Sequence, residues 1–387
     1  MIAMDPCDLD IAYQYCSKYN RDNKDAAWAE INLSYILKNL KIVKTYAGEH
    51  TDIGAVVKGD AYGLGAEEIV KVLSKEDGVS MFIVGRLSEA EDISPFTDGK
   101  SVLVLDRVSA VGADGCGAEL VIYSAYDMAF MQELELMGMR KNKSFSVHVR
   151  VDLWKSGMGF GPEEVSEELF SFPHVQVKGI YTHLYSSYQF DWERSEKELD
   201  RFDWVLDRLP GRIRRKLMVH AQNSSLIFTH PDHGYNLARS GAALYGLPIH
   251  PVKEYGLTPV LSLRARVVSV TKPKEDCCLS YQQQKSGRNG EIARFLFGYW
   301  DCPFLMTQDN VKVWGNGKLY PVADEPCMDS ACIDAADGRI SAGDEIVLLG
   351  AEEGVRLRDI LARHQIDLVH SERLYMLSKR LHRIYRL

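Results

Sequence analysis

Several residues able to do chemistry fall at one kind of place in this sequence, the end of a short apolar run. Lys58 follows residues 53–57 and precedes a turn, Asp60-Ala-Tyr-Gly63, with a helix pattern from Ala66. A strongly hydrated ammonium is out of place at the end of a buried strand unless it is used. Partly desolvated in a pocket, such an amine has a lowered pKa and becomes a nucleophile that can form an imine with a carbonyl. A surface lysine after an edge strand is the competing reading. His183 follows the run at 177–181, His220 closes the run at 217–220 and leads to Asn223 and Ser224, and Arg239 just precedes the run at 242–245. Histidines so placed are as readily structural as functional. The pair His230-x-x-His233 reads as part of a solvated loop, and the eight cysteines form no C-x-x-C, so no metal site is expected.

The elements that must position these residues show a rhythm. Short β-branched runs occur at 53–57, 81–84, 102–105, 120–123, 145–151, 177–181, 217–220 and 242–245, with helical patterns between them at 66–73, 88–93, 125–137 and 195–209. Strands alternating with helices imply right-handed crossovers and a parallel sheet. Eight such units are the size of a (β/α)8 TIM-type barrel, in which function gathers at the C-terminal ends of the strands. An open doubly wound sheet is the alternative, although no G-x-G-x-x-G opens a helix. After Pro248 the texture changes: strand candidates at 261–270, 292–297, 311–314, 319–322, 331–334 and 345–349 are separated by turn signals such as Gly315-Asn-Gly317. The expected organisation is an N-terminal arm over 1–27, a barrel over 28–254 and a mostly β domain over 255–387. Within the first of these borders, Ala27-Trp-Ala-Glu-Ile31 alternates as a strand should.

Composition narrows the class of function. The net charge of −8 and the lack of a Lys/Arg block argue against a nucleic-acid surface. No apolar run reaches membrane-spanning length. The acidic first ten residues lack a signal-peptide pattern, and the cysteines, spread singly apart from Cys277-Cys278, read as free thiols in a reducing compartment, so a cytoplasmic protein is expected.

The stretch Gly54-Ala-Val-Val-Lys-Gly-Asp-Ala-Tyr-Gly-Leu-Gly65 resembles the pyridoxal-phosphate (PLP) lysine motif of alanine racemases. Further segments resemble that family in its order: Trp28-Ala-Glu-Ile-Asn-Leu33, Gly179-Ile-Tyr-Thr-His183, Val219-His-Ala-Gln-Asn-Ser-Ser225, Asn236-Leu-Ala-Arg-Ser-Gly241, Leu279-Ser-Tyr281, Gly298-Tyr-Trp-Asp301 and Cys327-Met-Asp329. The resemblance implies a PLP-dependent amino-acid racemase, acting on alanine or a near relative such as serine and making a cell wall precursor, with a barrel followed by a β domain. It implies a homodimer with shared active sites. It implies that Lys58 carries PLP, that Tyr62, Asn223, Ser224, Gly241 and Ala242 surround the phosphate, and that Arg239 faces the pyridine nitrogen. Tyr281 is implied as the second base beside Lys58, with His183 tied to it, His220 near the cofactor, and Tyr299 and Met328 at the substrate.

The sequence also departs from the family pattern. Gln282 replaces the glycine after the tyrosine, Leu64 replaces a histidine, and Asp152-Leu-Trp-Lys-Ser-Gly-Met-Gly-Phe-Gly161 carries two extra residues and lacks the arginine expected there. Arg150 and Lys155 are the candidates to replace that arginine. These changes surround the substrate rather than the phosphate, which leaves two alternatives open: a related PLP enzyme such as a decarboxylase, or a PLP-binding protein with little turnover.

Overall fold

A computed structural model of the chain describes residues 26–154, 156–273 and 290–387. It divides into two compact units, Leu33–Pro259 and a second made of the residues before and after it. The expected arm lies outside the described residues except for Ala26 and Ala27, as do Lys155 and Tyr281.

In the larger unit, eight parallel strands follow one another around a sheet: β2 (Asp52–Val56), β3 (Val79–Val84), β4 (Ser101–Val104), β5 (Val121–Ala125), β6 (Phe145–Arg150), β7 (Val175–Tyr181), β8 (Met218–His220) and β9 (Leu237–Ser240). Strand order is β8-β7-β6-β5-β4-β3-β2-β9, so β9 pairs with β2 and brings the sheet round on itself. The remaining seam, β8 to β9, is stitched by a side chain. Asn236 accepts from the Val219 N–H through Oδ1 (2.7 Å) and donates from Nδ2 to the Leu217 carbonyl (2.9 Å), and the Arg239 N–H donates to the Gln222 carbonyl (2.9 Å). A buried core of Val56, Met81, Ile83, Leu103, Ile122 and Leu237 fills part of the barrel. Gly54 lies against it because a Cβ there would fall 2.7 Å from Ile83 Cδ1.

Helix α1 (Leu33–Ala47) is anchored by a buried amide, Asn39. Its Nδ2 donates to the Leu244 and Thr258 carbonyls (3.0 and 2.8 Å), and its Oδ1 accepts from the Thr258 N–H (2.8 Å). The last barrel strand differs from the sequence expectation. It is Leu237–Ser240, with Arg239 inside it, and residues 242–245 form the turn that follows. That turn is apolar because it is largely buried, and an apolar run alone does not distinguish a buried turn from a buried strand.

The second unit is mostly sheet. β10 (Leu261–Thr271) runs antiparallel to β1 (Ala27–Asn32), and β1 runs parallel to β16 (His382–Arg386). The path extends through β15 (Glu345–Leu349), β12 (Lys312–Gly315) and β13 (Lys318–Pro321), while β11 (Ile292–Phe295) joins β10 to β14 (Ala331–Asp334). Burial alternates along β10, with Leu261, Leu263, Ala265 and Val267 inward. The outward positions carry ion pairs: Arg264 to Glu30 and Glu345, and Arg386 to Glu30.

Candidate active site

Lys58 emerges immediately beyond β2, where the Val57 N–H still donates to the Ile83 carbonyl (2.8 Å). The four residues after it, Gly59 to Tyr62, all have positive φ, at 64, 55, 52 and 63°. A left-handed turn of L-residues is disfavoured by roughly 1–2 kcal/mol per residue, so it needs local compensation. Backbone bonds close it, from Ala61 N–H to the Val57 carbonyl (2.8 Å) and from Gly65 N–H to the Asp60 carbonyl (2.9 Å). Two carboxylates add to this. Asp60 Oδ1 accepts from the Ala66 N–H (2.8 Å), and Glu89 accepts from the N–H groups of Gly59 (2.5 Å), Gly85 (2.8 Å) and Arg86 (2.8 Å). Lys58 itself is exposed, so the desolvation expected of its amine is not supplied by the residues packed around it.

The same turn delivers Tyr62 to the end of β9. A Cβ on Gly241 would lie 2.6 Å from the Tyr62 hydroxyl and 3.1 Å from Val56 Cβ, so only glycine lets the backbone approach so closely. The buried Ser224 hydroxyl accepts from the N–H groups of Gly241 and Ala243 (both 3.2 Å). Between them, the Ala242 N–H makes no hydrogen bond among the described residues. Asn223 Oδ1 caps the short helix Ser224–Thr229, accepting from Ser225 and Leu226, and its Nδ2 donates to Ser187 Oγ (2.6 Å). Tyr62, Asn223, Ser224, Gly241 and Ala242 thus converge on one corner, with the hydroxyls and backbone donors that suit a phosphate.

Arg239 is buried, and neutral acceptors hold its guanidinium. Nη1 donates to His220 Nδ1 (2.9 Å) and the His220 carbonyl (3.0 Å), and Nη2 donates to the carbonyls of Thr182 (2.8 Å) and Ala221 (3.3 Å). The His220 ring stacks on Tyr181 (4.9 Å, 3°). Burial, with Arg239 and then His148 adding to it, drives the His220 pKa well below its usual value. His183 is pushed down to about 3 by burial, with further lowering from the charges of Arg239, Arg150 and Lys58. The mouth of the barrel therefore combines fixed cations with histidines kept neutral.

Arg150, at the end of β6, belongs to this group. Its guanidinium lies over the Tyr126 ring (5.3 Å) and donates to the hydroxyls of Tyr126 (3.2 Å) and Tyr185 (3.4 Å). It has no carboxylate partner among the described residues. The extended loop after it folds on itself. Asp152 accepts from the N–H groups of Trp154 and Met158 (both 3.1 Å) and from Ser156 Oγ (3.0 Å), and Phe160 bridges back to Arg150 and Asp152. Burial alone would raise the Asp152 pKa, but these donors outweigh it and the net shift is down.

In the second unit, Tyr299 and Met328 are adjacent. Tyr299 N–H donates to the Cys327 carbonyl (3.1 Å) and Trp300 N–H to that of Met328 (3.2 Å). Gly298 permits this, since a Cβ there would meet the carbonyl oxygens of Cys327 and Met328 at 2.3 Å. Arg380 ties the segment together, donating to Asp301 (2.8 Å), Asp329 (2.5 Å) and the Met328 carbonyl (3.1 Å). The sequence reading missed Arg380, as it missed His148, which bonds His220. The signal for His148 was a polar residue between apolar neighbours in a strand otherwise built for the interior. The pair His230 and His233 meets Glu196 and Asp203 from the helix Trp192–Asp207. No cluster among the described residues is suited to a metal ion, and no helix among them is long and apolar enough to cross a membrane.

Models of the alanine racemase N-terminal and C-terminal domains match residues 31–248 and 260–385. Similar relatives include an alanine racemase of Carboxydothermus hydrogenoformans, 30% identical over 92% of this chain and 99% of its own. Another is an alanine racemase 2 of Caldanaerobacter subterraneus subsp. tengcongensis, 29% identical over 92% and 94%. Similar solved structures include an alanine racemase of Clostridium difficile 630 (26% identity, TM-score 0.82, 93% of this chain and 95% of that one). A second, from Bartonella henselae, carries covalently bound pyridoxal phosphate (26%, TM-score 0.79, 93% and 99%).

Proposed function

The chain belongs to the alanine racemase family, and from that premise we propose that it interconverts L- and D-alanine by a two-base mechanism in which Lys58 serves one face of the substrate and Tyr281 the other. The family is PLP-dependent, and this chain's residues fit the group. The corner formed by Tyr62, Ser224 and the close-packed backbone of Gly241 suits a phosphate. When bound, PLP supplies an electron sink that lowers the cost of removing the substrate's α-proton.

The chain's own residues divide the remaining work. Lys58 Nζ binds the cofactor and holds or releases a proton on one face. Tyr281 Oη does the same on the other face, which a phenol with an ordinary pKa near ~10 achieves only when its surroundings perturb it. Arg239 would hold the pyridine nitrogen of the cofactor, and a guanidinium that does not readily give up a proton would leave that nitrogen unprotonated and so favour reprotonation over side reactions. Tyr299 and Met328 border the substrate. Arg150, charged and held by tyrosine hydroxyls among the described residues, favours a substrate that brings a carboxylate.

The observation that carries this reading is the convergence of Lys58, Arg239 and the Ser224–Gly241 corner at the C-terminal ends of β2, β8 and β9. A homodimer that shares its active sites, in the cytoplasm, completes the proposal. The test is incubation of the purified protein with individual L-amino acids in heavy water. α-Deuterium and loss of optical rotation with alanine support the reading, and serine turned over faster than alanine would replace the substrate. No exchange with any amino acid by a yellow, PLP-loaded protein would overturn it.

A further inference from the structure

Behind Arg239 lies a second histidine that the proposed chemistry leaves unused. His148, on β6, is fully buried, and its Nδ1 is 2.9 Å from His220 Nε2. Its own Nε2 is buried with no hydrogen-bond partner. We propose that His148 is a positioning residue that keeps the proton of His220 on Nε2 and thereby holds the Arg239 guanidinium in place.

The direction of the chain follows from donor chemistry alone. A guanidinium can only donate, so His220 Nδ1, 2.9 Å from Arg239 Nη1, must be an acceptor. The one proton of neutral His220 is then on Nε2, and it is donated to His148 Nδ1. His148 in turn carries its proton on Nε2, the atom without a partner. Reversing the chain would point a His220 Nδ1–H at the donors of Arg239. An unsatisfied buried donor is costly, and here it stands at the far end of the chain, away from the arginine.

The neighbouring groups agree with this direction. Ser124 Oγ donates to the Val104 carbonyl (2.7 Å), so the Tyr181 hydroxyl 2.8 Å away is the donor to it, and the Tyr181 ring stacked on His220 is neutral. Among the described residues, Arg239 is the charged group that acts on the pair. Opposite His148, β7 carries Gly179. A Cβ there would fall 2.7 Å from both Cε1 and Nε2 of His148, so the strand leaves room for this ring in this position. Both imidazoles have depressed pKa values, His148 to about 3, through burial first and the charge of Arg239 second, which keeps each ring to one proton.

The tautomer is independent of the racemase reading, while its effect on turnover rests on that reading. Two-bond 15N–1H correlation spectra of 15N-histidine-labelled holoenzyme report the tautomer directly. His220 is expected as the pure Nε2–H form from pH 5 to 9. In His148→Phe the Nε2–H that Arg239 demands is left without its acceptor, so the Nδ1–H form should appear beside it and kcat should fall about tenfold with KM little changed, the scale of one orphaned buried group. His148→Asn places Oδ1 where Nδ1 lies and should restore most of both the pure Nε2–H signature and kcat. A wild-type His220 protonated on Nδ1, or on both nitrogens, overturns the proposal even if no variant folds. So do Phe and Asn variants with equal kcat, because a purely structural role would not separate them.

Discussion

Gly241→Ala tests the cofactor corner without touching a charged group. The new methyl would sit 2.6 Å from the Tyr62 hydroxyl and 3.1 Å from Val56 Cβ, whereas ordinary contact begins at 3.4 Å. Tyr62 must therefore withdraw by about 0.8 Å, and it has little freedom to do so. Its ring packs edge-on against Tyr245 (5.1 Å), which is held by a bond from its hydroxyl to the Val56 carbonyl (2.8 Å). Overpacking of this kind costs about 1–3 kcal/mol. If the strain is relieved by moving the hydroxyl out of the corner, it appears as weaker PLP binding, about 5- to 150-fold in Kd. The assay is reconstitution of cofactor-free protein with PLP, followed by visible absorbance, with apoprotein Tm measured in parallel. Tyr62→Phe deletes the clashing oxygen, so the double variant should regain the apoprotein Tm lost by Gly241→Ala, while PLP binding stays weak because the hydroxyl is gone. Unchanged PLP affinity and Tm in Gly241→Ala, or no recovery in the double variant, would refute the placement of Tyr62 against this backbone.

Other expectations follow from the same geometry. Arg150→Gln should raise KM for alanine about tenfold or more while leaving PLP affinity intact, because a hydrogen-bonded charge is worth about 1.5–3 kcal/mol; an unchanged KM would remove Arg150 from the substrate. The pH dependence of stability has a definite sign. His148 and His183 bind protons near ~6.5 when unfolded but only near about 3 when folded. The unfolded chain therefore binds more protons below that upper value, and stability is lost as pH falls through this window, by up to ~1.4 kcal/mol per pH unit for each histidine. Denaturant midpoints of wild type and His148→Asn between pH 4 and 7 should diverge accordingly, and parallel curves would count against a neutral buried His148. Finally, Lys58→Ala and Tyr281→Phe, each inactive alone, should regain about a quarter of wild-type activity when refolded together, since half of the random dimers are mixed and each mixed dimer has one intact site. Continued inactivity would assign both bases to one chain.

The parts of this site legible in the sequence are those fixed by local pattern. The β–α rhythm located the barrel strands, and the strand-end positions of Lys58, His183 and His220 placed them at one mouth. What stayed hidden depends on partners distant in the chain. The left-handed turn at Gly59–Tyr62 contains only one glycine, and its compensation by Glu89 comes from 30 residues away. Asn236 reads as an ordinary loop residue until both strands of the seam are in place. The last strand was shifted because Arg239 interrupts its apolar pattern while the buried turn after it continues one. The alternation in Ala27–Asn32 identified a strand but carried no information about its neighbours, which come from the far end of the chain.

That pairing sets an order of events during synthesis. β1 lies between β10 and β16, and its Glu30 bonds Arg386 across a separation of 356 residues. Every residue of the barrel is translated between β1 and its first partner. At about 5–20 residues per second, a ribosome takes roughly 10–50 s to reach β10 after releasing β1. The barrel has its own core and its own closing contacts, so it can fold in that interval, while β1 waits as an unpaired strand beside the growing chain. The final sheet forms only when β16 has been synthesised and closes on β1. A nascent chain stalled shortly before β16 would thus carry a completed barrel and an unsealed edge.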